Sequence, residues 1–170
     1  MKINLYILTG LMASISIILG VVENFIPTPV PAIRLGLSNI PILIMLYLTY
    51  TRFAFLNAVI KSLVVPIFSG NIIFKFSLGF PATMVSFCFM AIFYKFFRNR
   101  LSVITISVIG AVSHMVTQII IVSIFYIPNL IYTSLVGILL LSAIITGVLM
   151  GIISYKIINH KEIIKKFQNI

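Results

Sequence analysis

Long apolar stretches, broken by short polar interruptions, fill almost the whole chain. They cover about 3–22, 35–50, 53–68, 74–97, 101–127 and 130–158. Runs of this kind are what helices need to cross ~30 Å of hydrocarbon at ~1.5 Å of rise per residue. Glu23-Asn24 ends the first run, and the stretch from Phe25 to Arg34 carries Pro27, Pro29 and Pro31. Alternate prolines lack donors and push their predecessors toward extended backbone, so an ordered, semi-rigid loop is expected there. Thr51-Arg52 reads as a tight turn between the second and third runs, both of which are short and interrupted near one end, by Asn39 and Pro41 and by Pro66. Ser69-Gly70-Asn71, Arg98-Asn99-Arg100 and Pro128-Asn129 make the later breaks, and a polar tail follows from Asn159. The pattern predicts an all-α integral membrane protein, a single domain over 1–170 built as a bundle of six transmembrane helices.

Composition agrees. The chain is 61% hydrophobic and 8% charged, whereas a water-facing domain carries charge on roughly a quarter of its residues. Lipid is therefore the expected solvent. The start, Met-Lys-Ile-Asn, has the look of a signal-peptide n-region, but no small-residue cleavage site and polar mature chain follow it, and a retained first helix is expected. The charge of +10 is placed at the ends of the runs. With six crossings, Lys2, Arg52, Lys95, Arg98, Arg100, Lys156, Lys161, Lys165 and Lys166 share one side, nine cations against Arg34 and Lys75 on the other. Such asymmetry puts the richer side, with both termini, in the cytoplasm, and an odd number of helices would spoil it. No basic face interleaved with aromatic residues is present, so the chain is read as binding the bilayer and not nucleic acid.

Three places depart from plain hydrophobicity. The first is the outward loop and its entry into the second run, with Glu23, Asn24, Arg34, Gly36, Ser38 and Asn39. It reads either as a lid whose Arg34 or Asn39 contacts a ligand, or as a stiff connector set by a Glu23–Arg34 ion pair. The second is Lys61, with Asn57 one turn away on the same helix face. A cation ~10 Å inside the membrane should turn toward the bundle, since lipid exposure costs ~3 kcal/mol. The third is the stripe Ser107, Gly110 or Ala111, His114, Gln118, spaced by three and four; His114 is expected to bond between helices, and Gln118 is the better ligand candidate. Glu23, Arg34, Asn39, Asn57, Lys61, Lys75 and Gln118 together are the candidate substrate-binding residues. Small residues also recur at helical spacing: Thr9 with Ala13, Ser16 with Gly20, and Ala143 with Gly147 and Gly151. Such rows let helices approach closely, inside the chain or against a partner, and Thr9, Ala13, Ser16 and Gly20 are the candidate partner-docking row.

The sequence has no aspartate, and Glu23 and Glu162 are its two acidic residues. No carboxylate cluster for Mg²⁺, paired acid and base or catalytic triad can be assembled, and no phosphate-binding Gly-x-x-x-x-Gly-Lys-Ser/Thr loop occurs. Cys88 is a lone cysteine in an apolar run. A stand-alone enzyme, a metal site and a cofactor are not expected.

The run Val22-Glu23-Asn24-Phe25-Ile26-Pro27, then Pro29-Val30-Pro31-Ala32-Ile33-Arg34-Leu35-Gly36-Leu37-Ser38-Asn39-Ile40, resembles the bacterial membrane family known both as Gx transporter and as heptaprenyl diphosphate synthase component I. Phe76 to Ser86, with Ser77 and Gly79, is similar to that family's fourth helix. Lys61 stands where an Arg is often seen, which keeps the charge and loses the bidentate fork. The resemblance implies a multi-pass protein of the bacterial cytoplasmic membrane, like the substrate-binding S components of energy-coupling-factor transporters. Those take a solute from outside and dock, largely through helix one, on a transmembrane coupling protein with two ATPases.

Two functions are consistent with these features. One is a substrate-binding transporter subunit for a small solute able to carry negative charge, with ATP hydrolysis left to partner subunits. The alternative is a non-catalytic membrane accessory subunit of a polyprenyl (heptaprenyl) diphosphate synthase, recruiting a soluble catalytic partner through its basic face.

Overall fold

A computed structural model describes residues 5–25, 36–69, 71–97, 100–128 and 133–160. Among these residues there are six α-helices and no strand: α1 (Leu5–Val22), α2 (Ile40–Leu48), α3 (Thr51–Val64), α4 (Ile72–Phe97), α5 (Val103–Phe125) and α6 (Leu135–Ile158). Short 3-10 turns at Glu23–Phe25, Leu37–Asn39 and Ile67–Ser69 mark the end of α1, the approach to α2 and the exit from α3. Each helix lies within one of the six expected runs, apart from small shifts at the ends of α3 and α4.

Length separates the helices into two kinds. α1, α4, α5 and α6 have 18, 26, 23 and 24 residues and are apolar enough to cross a membrane. α2 and α3 have 9 and 14 residues, about 14 and 21 Å of rise, short of the ~30 Å of a hydrocarbon core. The runs over 35–50 and 53–68 are read as short ones, and the α-helices within them are shorter still. Pro41 sits in the first turn of α2, where a missing N–H costs nothing. At the other end Thr49 turns to extended backbone and its hydroxyl donates to the Met45 carbonyl at 2.7 Å. All of Pro41 to Leu46 is buried. A helix apolar on every side belongs in the middle of a bundle, and α2 packs there among α1, α3, α4 and α6.

The long helices present the opposite pattern. Tyr6, Ile7, Leu11, Ile15, Ile18 and Val22 are exposed along α1, as are Ile138, Leu141, Ile145 and Leu149 along α6. Large apolar side chains facing outward over whole helices are the surface of a membrane protein, where lipid replaces water.

Small residues set the spacing inside. A Cβ on Gly147 would lie 2.9 Å from the Val108 Cα, and one on Gly151 2.7 Å from the Ile104 Cα, so α6 rests directly on the α5 backbone. In α1 the row Thr9, Ala13, Ser16 and Gly20 is also buried within the chain, and a Cβ on Gly20 would meet the Val65 side chain at 2.8 Å. In the single chain these four positions, read as a candidate partner-docking row, face its own elements, and the exposed face of α1 is the large apolar one.

Side-chain pairs fix the relative directions of the helices. Tyr6 of α1 meets Phe53 of α3 edge to face, with ring centres 5.4 Å apart, and Tyr47 of α2 meets Tyr94 of α4 at 4.7 Å. At the far end of α4, the Ser77 hydroxyl lies 2.8 Å from that of Tyr126, just beyond α5. Arg52, Lys95, Arg100 and Lys156 accordingly gather toward one end of the bundle, and Glu23, Asn39, Lys61 and Lys75 toward the other.

Backbone contact at two glycines makes a clear test. Gly147→Ala and Gly151→Ala are each expected to lower stability by about 1–3 kcal/mol, the cost of overpacking. Gly10→Ala, with nothing within 4 Å of its new methyl, should be neutral or slightly stabilising. Unfolding of the purified variants in mixed micelles measures the difference.

Candidate functional site

Charge inside this bundle has to be neutralised by its own residues. Lys61, in the last turn of α3, is 3% exposed, and its Nζ donates to Asn39 Oδ1 at 2.6 Å. Asn39 is brought there by the turn Leu37–Asn39, whose start at Gly36 has φ 91°. That left-handed conformation is open to glycine and strained for residues with a Cβ. Glu23, also 3% exposed, closes the other side. Its Oε1 accepts the Gly36 N–H and, at 3.1 Å, the Leu37 N–H. One carboxylate thereby ties the end of α1 to the approach to α2 and satisfies donors that no helix turn serves.

Glu23, Ser38, Lys61, Ser62, Thr83 and His114 surround one polar void of about 10 Å³, with Val65 and Gly79 completing it. That is about the space one water needs. Three helices and the turns Glu23–Phe25 and Leu37–Asn39 contribute, because alternating directions bring the turn that ends α1, the end of α3, the first half of α4 and the middle of α5 to the same depth. The Ser62 hydroxyl donates back to the Val59 carbonyl at 2.9 Å. Deeper in the bundle, Ser86 Oγ donates across to the Gly110 carbonyl of α5 at 2.7 Å and holds α4 to α5.

Of the residues singled out from sequence, Glu23, Asn39 and Lys61 come together. Asn57 is fully buried one turn below Lys61, but its amide points at the Met45 sulfur of α2, 3.4 Å away, and does not line the void. Gln118 is fully buried on α5, one turn past His114, and also lies outside the lining. Lys75 is half-buried in the first turn of α4, on the row that continues through Gly79 and Thr83. Arg34 and the three prolines lie outside the described residues. His114, read as an interhelical bonding group, lines the void, as does Ser38 from the outward-loop cluster; Ser62 and Thr83 join it although spacing does not mark them. Among the described residues no three of His, Cys, Asp and Glu come close enough to hold a metal. The arrangement can bind a polar group or a water.

A second feature is apolar. Val85, Phe89 and Phe93 of α4 face Val112, Val116 and Ile120 of α5 across a groove of about 590 Å³ open to the outside. Ser113 and Thr117 also line it, yet their hydroxyls donate to the Gly110 and Ser113 carbonyls at 3.1 and 2.8 Å. Helical hydroxyls used in this way leave the groove a hydrocarbon surface.

The buried charges predict a specific coupling. Glu23→Gln and Lys61→Met should each destabilise the protein by about 2–4 kcal/mol, because each strands the opposite charge in an apolar interior. The double variant should lose less than the sum, and a double-mutant cycle on thermal unfolding reads the difference. Strict additivity would show that the two charges act independently.

No curated protein and no solved structure matches the chain. Over residues 12–157, most of the chain and every helix from mid-α1 to α6, it matches the family described as heptaprenyl diphosphate synthase component I. The chain belongs to the heptaprenyl diphosphate synthase component I family.

Proposed function

We propose that this protein is a membrane accessory subunit of a polyprenyl diphosphate synthase, contributing no catalytic step of its own. Membership of a family named as one component of such a synthase carries the reading. The sequence fits a helper better than a catalyst: with Glu23 and Glu162 as its two acids, it cannot supply the carboxylates that hold Mg²⁺ on a diphosphate. Those belong to a soluble catalytic partner. In this reading the chain crosses the bacterial cytoplasmic membrane six times with both termini inside, α2 and α3 acting as a buried pair within the bundle. The nine-to-two distribution of cations supports that orientation. So does the packing that gathers Arg52, Lys95, Arg100 and Lys156 toward one end. The cationic end then faces the cytoplasm, where an acidic surface of the partner would meet it.

The buried polar cluster favours a second reading, a substrate-binding subunit of a transporter whose partners hydrolyse ATP. Glu23, Asn39, Lys61 and His114 meet near the outward end, where a solute would arrive, and the handling of a hydrocarbon chain makes no use of them. Under this reading the solute is small and polar, and Lys61 offers a partner for negative charge.

Two experiments separate the readings. Deletion of the gene should shift cellular prenyl quinones toward shorter chains or lower their amount, and a tagged chain should co-purify with a prenyl synthase; a normal quinone profile would exclude the accessory role. For the transporter reading, mass spectrometry of the purified protein should find a small polar molecule that Lys61→Ala and Asn39→Ala no longer retain. Wild-type protein that carries none, with unaltered solute uptake in both variants, would exclude it.

A further inference from the structure

The groove between α4 and α5 continues past the residues already named. Along α4, Ser77 and Pro81 precede Val85, Phe89 and Phe93 at a constant spacing of four, and along α5 the row Ser113, Thr117 is extended by Ile121 and Phe125. Ser77, Pro81, Ile121, Phe125 and Tyr126 surround a second open cavity of about 590 Å³ on this same seam. From Val108 to Tyr126 the seam rises about 27 Å at ~1.5 Å per residue. This is nearly the whole ~30 Å thickness of a hydrocarbon core.

Length, polarity and charge then select an occupant. A phospholipid acyl chain belongs to one leaflet, about half of that ~30 Å, and would fill about half of the seam. A seam that is apolar through both leaflets suits a single longer hydrocarbon. Its two ends differ. One is closed by the neutral pair Ser77 and Tyr126, with hydroxyls 2.8 Å apart, and by Phe74 stacked edge-on at 4.3 Å from the Tyr126 ring. The other is lined by Phe93 and Val108, and beyond it Lys95 in the last turn of α4 and Arg100 ahead of α5 are both exposed. An anionic head group is matched better at that end, by two exposed cations against the single half-buried Lys75 near the other.

We propose that the α4–α5 seam binds a polyprenyl diphosphate, with its chain along the groove and its diphosphate at the Lys95–Arg100 end. The proposal rests on the accessory-subunit reading and makes that subunit the holder of the growing or finished chain in the membrane, presenting the head group at the cationic, cytoplasmic face.

Heptaprenyl diphosphate binding to the full chain in lipid nanodiscs tests this. Val116→Trp places a large ring in the middle of the groove at an exposed position and should weaken binding about tenfold or more. The charge-reversed pair Lys95→Glu and Arg100→Glu should weaken heptaprenyl diphosphate by a similar factor at low salt and leave uncharged heptaprenol unchanged. Unfolding temperatures within a degree or so of wild type confirm that the variants are folded; Phe89→Ala, which widens the groove, serves if Val116→Trp is not, and should alter affinity by several-fold. Equal affinity in the folded groove variants would overturn the assignment, as would displacement of the probe by phosphatidylglycerol at equal concentration, the sign of a general lipid surface. Complementation separates this from the accessory role. If deletion shortens prenyl products and Val116→Trp restores them fully, the subunit role stands and the groove assignment fails. If deletion changes nothing, the role fails, and the binding measurements alone decide the groove.

Discussion

A positive charge sealed inside an apolar bundle has to be met by groups held in place, and this need organises one half of the protein. Lys61 reaches Asn39 at 2.6 Å. Asn39 can receive it because the chain turns sharply at Gly36, in the left-handed region, just before α2. The turn in turn exposes two backbone donors, Gly36 and Leu37, that Glu23 satisfies from the end of α1. Three elements far apart in sequence are thus joined by one electrostatic requirement. An apolar residue at position 61 would remove the demand and, with it, the reason for the other two to be there.

Much of this was readable in advance, for definable reasons. Apolar runs with polar breaks locate helices whether the surroundings are lipid or protein, so all six were found. Their ends are less legible where the chain is buried, because α2 is surrounded by protein on every side, and an apolar run looks alike whether protein or lipid covers it. Glu23, Asn39 and Lys61 stood out because charge and amide groups are rare in such a chain. Ser62 and Thr83 did not, because a hydroxyl on a helix can satisfy itself on its own backbone and leaves no trace of where it faces. Asn57 shows the opposite error. It sits on Lys61's face by helical spacing, yet α2 lies nearer than the void and takes its amide. The small-residue row of α1 was ambiguous in principle: spacing by four announces a close approach without naming the neighbour.

The two candidate sites draw on different parts of the fold. The polar cluster depends on the N-terminal half, where α1, α2 and α3 meet, with α4 and α5 closing it. The apolar groove belongs to α4 and α5 alone, on the face turned away from the bundle. Ser86 connects them: its bond to the Gly110 carbonyl fixes the spacing of α4 and α5 on the inner side and so sets the width of the seam on the outer side. A shift of that contact would be felt in both places.

The shortness of α2 and α3 also bears on how the protein comes to be in a membrane at all. During synthesis each emerging segment partitions into lipid on its own merit, and α1, with 18 apolar residues, does so readily. α3 does not: Arg52, Asn57 and Lys61 fall within its 14 residues, and each charge opposes insertion, by about 2.5–3.5 kcal/mol at the centre of a segment and by less toward its ends. Its charge becomes tolerable only when Asn39 and the end of α1 are already beside it. Assembly is therefore expected to be ordered, with α1 waiting in the bilayer and α2 and α3 entering as a hairpin against it before the last three helices close the bundle. A defect in the polar cluster would then surface as a failure of biogenesis, in the amount of protein that reaches the membrane, before any loss of activity could be measured.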